Sequence, residues 1–459
     1  MGGLNTSLLI GVQALEASQG ALAATSNNIS NANTPGYTRE IVDFSENQMN
    51  DTGNAVSGGG VSLDNLQSVR DELLNLQIQN QTSLQSSVNT QYSNLQQIQS
   101  YFTNSGTDIA SALTAFSTSL TQLSATPSDS AVQQNVIVSG QSLAQAFNTT
   151  AQGLSSVQSE ADGQVTQTVA QINSLTAQIA QLNGQVSQLA AAGKDGGTVQ
   201  DQRDELVQQL STLTGISVTQ SDGGETITTG NGTPLVMGSQ SFSLQTTTGS
   251  DGMQHVLDSN GNDITSSIQG GQLGGAIQIR DQEIPGLLSQ LNTLASQFAT
   301  AFNAAQAQGY DSNGNAGQDF FTIPSGTAGA AAGISVAITD PSLIAVSSDG
   351  SAGSNGNVAN LSAALTTALP SGQTAAGAYA KMVFQVGSDT ANASTQSTAI
   401  GQNLLQLTNQ QGSISGVSID EETTNLIRFQ TAYEAAARIV STIQALNTVT
   451  LDMGSTQSY

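Results

Sequence analysis

At 459 residues the chain is longer than one typical hydrophobic core, so two or more domains are expected. Its 8 Lys plus Arg stand against 33 Asp plus Glu, a formal net charge of −25, which leaves no basic stripe for nucleic acid or an anionic membrane surface. With no Cys and a single His, disulfides and the usual His/Cys zinc sites are excluded, and no apolar run approaches the ~20 residues of a membrane span.

The first element is a heptad stripe. Leu4, Leu8, Gly11, Leu15, Ser18, Leu22, Thr25 and Ile29 alternate in steps of four and three, which keeps one face of a helix toward a partner. Alternate seam positions are small, so a partner helix can approach closely there. The pattern stops at Asn31-Ala32-Asn33-Thr34-Pro35-Gly36, where Pro-Gly signals a turn. Leu63, Leu66, Val69, Leu73, Leu76, Leu84, Val88, Leu95, Ile98 and Phe102 then predict one long helix over 62–104. A shorter helix is expected over 108–124, a long one over 131–192 closed by Gly193, and another from Gln202 to Leu213.

From Ile216 to Gly275 the period shortens and turn pairs multiply, at Asp222-Gly223-Gly224, Asn231-Gly232, Asp251-Gly252 and Asn260-Gly261. Val, Thr and Ile alternating with polar residues between them predict hairpins of a small antiparallel β domain. Helical period returns over Ile284–Ala307. A second hairpin is expected at 334–347, turning at Asp340-Pro341, and a further helix over Ala375–Gln411. The last stripe runs through Ile419, Leu426, Phe429, Tyr433, Ala436, Val440 and Ile443, led in by Ser418 and the acids Asp420, Glu421 and Glu422, which suit the positive end of a helix dipole. Terminal segments fray unless they dock, so the two end helices are expected to pair, with the middle looping out between them.

Two end motifs carry a resemblance. SNNISNANTPGYTRE at 26–40 resembles the N-terminal signature shared by flagellar rod, hook and hook-associated proteins. GVSIDEETTNLIRFQTAYEAAARIVSTI at 416–443 resembles the C-terminal signature of one branch, the hook–filament junction family of hook-associated protein 1. Interior stretches agree, among them 57–74, 199–218, 270–311 and 319–348; the likeness weakens over 219–269 and 350–400. The resemblance implies a structural protein of the flagellum, secreted through type III export and placed at the hook–filament junction. Implied partners are the hook protein, the next hook-associated junction protein, further copies in a ring, and a cytoplasmic export chaperone at the C-terminal segment. On this reading the subunit interface is Leu8, Leu15, Leu22 and Ile29 with Leu426, Phe429, Tyr433, Val440 and Ile443. Asn28, Asn31, Asn33, Pro35, Gly36, Tyr37 and Arg39 form the family-motif turn; Tyr37 and Arg39 serve equally well as plain turn-packing residues.

Catalytic patterns are thin. His255 sits in the turn-rich segment without a nucleophile elbow nearby, and reads as an exposed turn histidine. Asp258-Ser-Asn260-Gly-Asn262 and Asp311-Ser-Asn313-Gly-Asn315 open like calcium loops but lack Gly at position six and Glu at twelve, so they read as turns. Neither an enzyme nor a cofactor is expected. Arg70-Asp71, Arg203-Asp204 and Arg280-Asp281 are adjacent pairs, and helical neighbours do not face each other, so these arginines are expected to reach carboxylates on other helices or to lie solvated.

The expected fold is mainly α with an inserted β domain. An elongated helical body, 51–215 plus 276–411, carries the β domain at 216–275, and the terminal helical assembly domain is 1–50 plus 412–459. The main functional alternatives are a hook or rod structural protein and a secreted adhesin or surface protein. An adhesin has no use for matched stripes at both ends.

Overall fold

The computed structural model describes residues 2–47, 50–51, 56–103, 106, 108–192, 194, 196–221 and 224–455. The expected turn at Asp222-Gly223 and the helix-closing Gly193 lie outside the described residues.

Helix α1 (Gly2–Asn31) is followed by a two-stranded antiparallel arm, β1 (Glu40–Glu46) against β4 (Val61–Ser68), with β2 (Asn50–Asp51) and β3 (Val56–Ser57) paired beyond it. The body then begins with α2 (Glu72–Phe102), α3 (Ile109–Ala125) and the 62-residue α4 (Ser130–Ala191). Each of these three starts at an aspartate, Asp71, Asp108 or Asp129, whose side chain accepts an amide of the first turn. After α5 (Gly197–Leu213) comes a four-stranded meander of β5 (Ile216–Ser221), β6 (Gly224–Thr229), β7 (Pro234–Met237) and β8 (Gln240–Ser241), then the pair β9 (Gln245–Thr248) and β10 (Gln254–Leu257). Helix α6 (Gly271–Gln278) passes through a π turn at Ile279–Glu283 into α7 (Ile284–Ala307). Short β11 (Phe321–Thr322), α8 (Ala330–Gly333) and β12 (Ser335–Val336) lead to α9 (Val358–Thr366), α10 (Ala375–Ser415) and α11 (Ile419–Ser455). The fold is mainly helical with small antiparallel sheets, as the sequence patterning implies.

Three expectations need correction. The helix expected over 62–104 starts only at Glu72; Leu63 and Leu66 lie on strand β4, where Leu66 pairs with Val42 and Leu63 with Phe44. A hairpin within 334–347 does not form. Ser335 and Val336 pair backwards with Thr322 and Phe321, Ser347 bridges Tyr310, and Asp340 caps a 3-10 turn at Pro341–Leu343 through its bond from the Ser342 amide. Pro341 has no N–H to give to a ladder, which favours the capped turn over a strand. The strands that begin at Ile216 end at Leu257, and the rest of 216–275 includes a 3-10 turn at Thr265–Ser267 and the start of α6.

Two cores hold the body. The first joins α2, α3, the front of α4, α7, α9 and α10. At its centre Phe116, Phe298, Phe302, Phe320 and Phe321 are all buried, and the ring pairs that meet have centroids from 4.8 Å (Phe320–Phe321) to 6.4 Å (Phe116–Phe298) apart. Five of the chain's 11 phenylalanines therefore meet at one point, in tilted and edge-on pairs. The second core packs Val165, Ile172 and Ile179 of α4 and Val207 and Leu210 of α5 against Ile227, Leu235, Val236 and Val256 of the strands and Leu273 of α6. The strands thus have no core of their own. They complete one with the helical body.

Phe302→Ala should lower stability by about 3–5 kcal/mol in denaturant unfolding, because it empties a fully buried ring site. Phe384, 76% exposed on α10, should lose under about 0.5 kcal/mol on the same change.

Candidate functional site

The two ends of the chain meet. Helices α1 and α11 pack against each other, and the β1–β4 arm packs on α1. The buried line of α1 is made of small residues: Gly11, Ala17, Ser18, Ala21, Ala24 and Thr25. A methyl group at Gly11 would come within 2.9 Å of Val440 Cγ2, so the helices touch where the seam has no side chain. Leu8, Leu15, Leu22 and Ile29 are half-buried beside this line rather than under it. On α11 Ala436 and Ile443 are buried, Leu426, Phe429 and Val440 are half-buried, and Tyr433 is exposed. Phe429 packs on Phe44 of β1, with ring centroids 6.2 Å apart, and the Arg428 guanidinium lies over the Phe429 ring, 5.4 Å from its centre. Ile419, Ile427, Ile439, Leu446, Val449 and Leu451 of α11, with Leu9 and Val12 of α1, remain exposed on the paired helices.

The turn after α1 is a buried polar node. Asn31 reaches back to Asn27, and Thr34 bonds Asn31, so the last turn of α1 is closed by its own side chains. Gly36 takes φ +76°, a conformation that favours glycine. Asn28 is 1% exposed and uses every valence of its amide. Its Nδ2 donates to the Glu40 carbonyl at 2.8 Å and to Glu422 Oε2 at 3.2 Å, while its Oδ1 accepts from the Glu40 amide and the Tyr37 hydroxyl, both at 2.9 Å. Burial first, and then the carboxylates of Glu40, Asp201 and Glu422, push the Tyr37 phenol well above its usual range, so it stays a donor. Arg39 crosses to the first turn of α11, with Nε 2.8 Å from Glu422 Oε1 and Nη1 3.0 Å from Glu421 Oε2. Its backbone bridges the end of α10 and the residue after β4, donating to Ser415 O and accepting from the Val69 amide.

The same turn is tied to the body. The Thr38 amide donates to Asp201 Oδ2 at 3.0 Å, and Asp201 Oδ1 lies 2.6 Å from Arg70 Nη2. Arg70 also reaches Asp204 at 3.3 Å and the Gly197 carbonyl at 2.8 Å. Pro35 and Gly36 line a cleft of about 380 Å³ with Gln79, Glu205, Gln411 and Gly416. Asn33 is exposed at the outer rim of the turn.

Sequence reasoning found the turn but not its partners. Glu421 and Glu422 look like dipole-compensating acids, yet they answer the single arginine of the motif. Of the arginine pairs, Arg70 reaches across to α5 as expected. Arg280 likewise reaches Asp162 of α4 at 2.7 Å, while Arg203 reaches Glu225 of β6 at 2.7 Å, and both also bond their own neighbours, Asp204 at 3.1 Å and Asp281 at 2.6 and 2.9 Å. In the second case the wider π turn lets adjacent side chains meet. Both arginines bond within one chain. His255 lies between Asp263 and Asp251, which raise its pKa, and Asp258 and Asp311 each fold a loop by accepting its amides. Among the described residues no group of three His, Cys, Asp or Glu could hold a metal ion, and no helix is long and apolar enough to cross a membrane.

Three family models match the sequence: the flagellar hook-associated protein FlgK helical domain over 95–321, the flagella basal body rod protein over 8–38, and the flagellar basal body rod FlgEFG protein C-terminal over 410–453. Flagellar hook-associated protein 1 of Bacillus subtilis (strain 168) is 31% identical over 494 residues, spanning 95% of this chain and 96% of that protein. This chain belongs to the flagellar hook-associated protein 1 family. Its counterpart in Escherichia coli (strain K12) is 29% identical over 94% of this chain and 96% of that one. The flagellar hook junction protein FlgK from Burkholderia pseudomallei shares the fold, with a TM-score of 0.67 at 20% identity over 74% of this chain and all of that structure. The two end models, 8–38 and 410–453, cover Asn28 and Glu422, and the first stops one residue before Arg39, which joins the two segments.

Arg39→Ala leaves Glu422 buried without its cation, and should weaken the α1–α11 attachment by about 3–5 kcal/mol, read as lost hydrogen-exchange protection at 422–430. Gly11→Val should splay the helices at Val440, and Val440→Ala should restore part of the loss, giving a non-zero coupling in a double-mutant cycle.

Proposed function

We propose that this chain is a structural subunit of the bacterial flagellum that joins the hook to the filament and assembles through its terminal helices. The observation that carries it is the combination of a hook-associated helical domain at 95–321 with rod-type sequences at both ends, which fold together as one paired unit. The apolar faces left on α11 and α1 supply a surface for neighbouring subunits, with the seam positions Leu8, Leu15, Leu22, Ile29, Leu426, Phe429, Tyr433, Val440 and Ile443 at or beside it. The turn from Asn28 to Arg39 sets the angle at which this pair leaves the body.

On this reading the hook protein lies on one side and the next hook-associated protein on the other, with copies of the chain around a ring. The exposed C-terminal stripe is of the kind an export chaperone covers before secretion by the type III route. The role is structural and not catalytic. The working division is a terminal assembly domain from 1–50 and 412–459, an elongated body, and the β segment 216–275 carried on it. The helical-domain match at 95–321 favours the junction over a rod or hook protein, whose likeness is confined to the ends.

A strain lacking the protein should carry hooks without filaments and release flagellin into the medium. A chain truncated before Leu426 should fail to complement even when exported. Normal filaments on the null strain would overturn the junction assignment.

A further inference from the structure

Where β6 meets α5 and the start of α2, buried charge does not balance. Arg203, 4% exposed, has Nη2 at 2.7 Å from Glu225 Oε1 and 3.1 Å from Asp204 Oδ1. Asp204 reaches on to Arg70, Arg70 to Asp201, and Asp201 accepts the Thr38 amide of the motif turn. Two guanidinium groups thus serve three carboxylates, Asp201, Asp204 and Glu225, and Glu72 adds a fourth on the wall of the same cleft. Glu225 is 9% exposed, and its Oε2 is buried without a hydrogen-bond partner among the described residues. A cleft of about 130 Å³ lined by Arg70, Glu72, Gln79, Arg203, Asp204 and Glu225 gives protons a path to it. Among the described residues, the uncharged Asn183 faces the group from α4, accepting the Glu225 amide and bonding Arg203, and Val218 and Gln220 of β5 line the cleft.

We infer that Glu225 is a proton-loading site whose occupancy sets how firmly the motif turn, and with it the terminal helix pair, is held on the helical body. With Glu225 neutral, the two cations of the chain from Arg203 to Thr38 meet its two remaining directly bonded anions, Asp204 and Asp201, and Glu72 is the one further carboxylate on the cleft wall. With Glu225 ionised, a third anion competes for Arg203, which loosens Asp204, Arg70 and Asp201 in turn. Burial pushes the carboxyl up to about 7, with Asp204 and Glu72 adding to the rise and Arg203 and Arg70 opposing it. Release of the turn opens the neighbouring cleft, which shares Asn75, Gln79 and Asp204 with this one, to solvent and lowers the carboxyl from about 7 toward its ordinary 4.5. Between these values the held state binds the extra proton, so the hold weakens as pH rises through the window and levels off above about 7. The inference concerns the fold of one subunit and is independent of where that subunit sits in the flagellum.

Hydrogen exchange on the full-length protein tests it, with rates corrected for intrinsic pH dependence. Protection of the amides of Thr38, Arg39 and Glu40 should fall about tenfold or more between about pH 5 and about pH 8, the equivalent of one or more pKa units, while α7 amides stay level. Glu225→Gln, which is permanently neutral and nearly isosteric, should hold the low-pH protection at every pH. Should that variant fold poorly, the wild-type carboxyl itself is followed by carbon-13 NMR, where a Glu225 midpoint near 7 supports the inference. A midpoint below about 5, or a response confined to β6 with a flat turn, overturns it.

Discussion

A buried carboxylate with one available cation sets the geometry of the molecule's ends. Glu422 lies almost wholly out of solvent at the start of α11, and among the described residues only Arg39, 383 residues away in sequence, pairs with it. Desolvating a charge is tolerated when its partner and its remaining lone pairs are supplied, and here Asn28 supplies the second. The same asparagine holds both backbone groups of Glu40. The end of α1, the first residue of the β arm and the first turn of α11 are therefore defined relative to one another by three side chains. Apolar packing between α1 and α11 is modest, since the line of contact is Gly, Ala, Ser and Thr. Small residues allow closeness but give little direction, and the polar node provides it.

How much of this was legible in the sequence follows from the range of each interaction. The terminal helices, α3, α4 and α7 were readable because periodicity is a local signal. The 62–104 helix was misjudged because Leu63 and Leu66 fit a helical spacing yet lie on a strand whose partner, 40–46, is short and pairs through an irregular register at Asp43/Phe44. The hairpin at 334–347 failed because the strand partner, Phe321–Thr322, was dictated by the aromatic core and not by any nearby turn. At the site, Asn28, Tyr37 and Arg39 stood out as residue types in a turn. Asp201 did not, and Glu422 read only as a helix-start acid, because each gains its role from a partner more than 100 residues distant; Arg70 was expected to reach another helix, but not this turn. An acid triplet opposite an isolated motif arginine is the one clue that pointed that way.

Charge economy recurs through the molecule. With so few cations, every described arginine of the body is spent inside: Arg70, Arg203 and Arg280 each bind two carboxylates at low exposure. The outer surface is left to uncharged Ser, Thr, Asn and Gln with scattered acids. Such a surface resists non-specific adhesion between like-charged copies.

Helix α4 has a mechanical consequence. At 1.5 Å per residue its 62 residues span about 93 Å, and its front half belongs to the aromatic core while its rear half closes the core shared with the strands. Neither core can loosen without fraying the same rod. The two halves of the body are thereby wired in series, so a twist applied at one end travels as rigid-body rotation to the other.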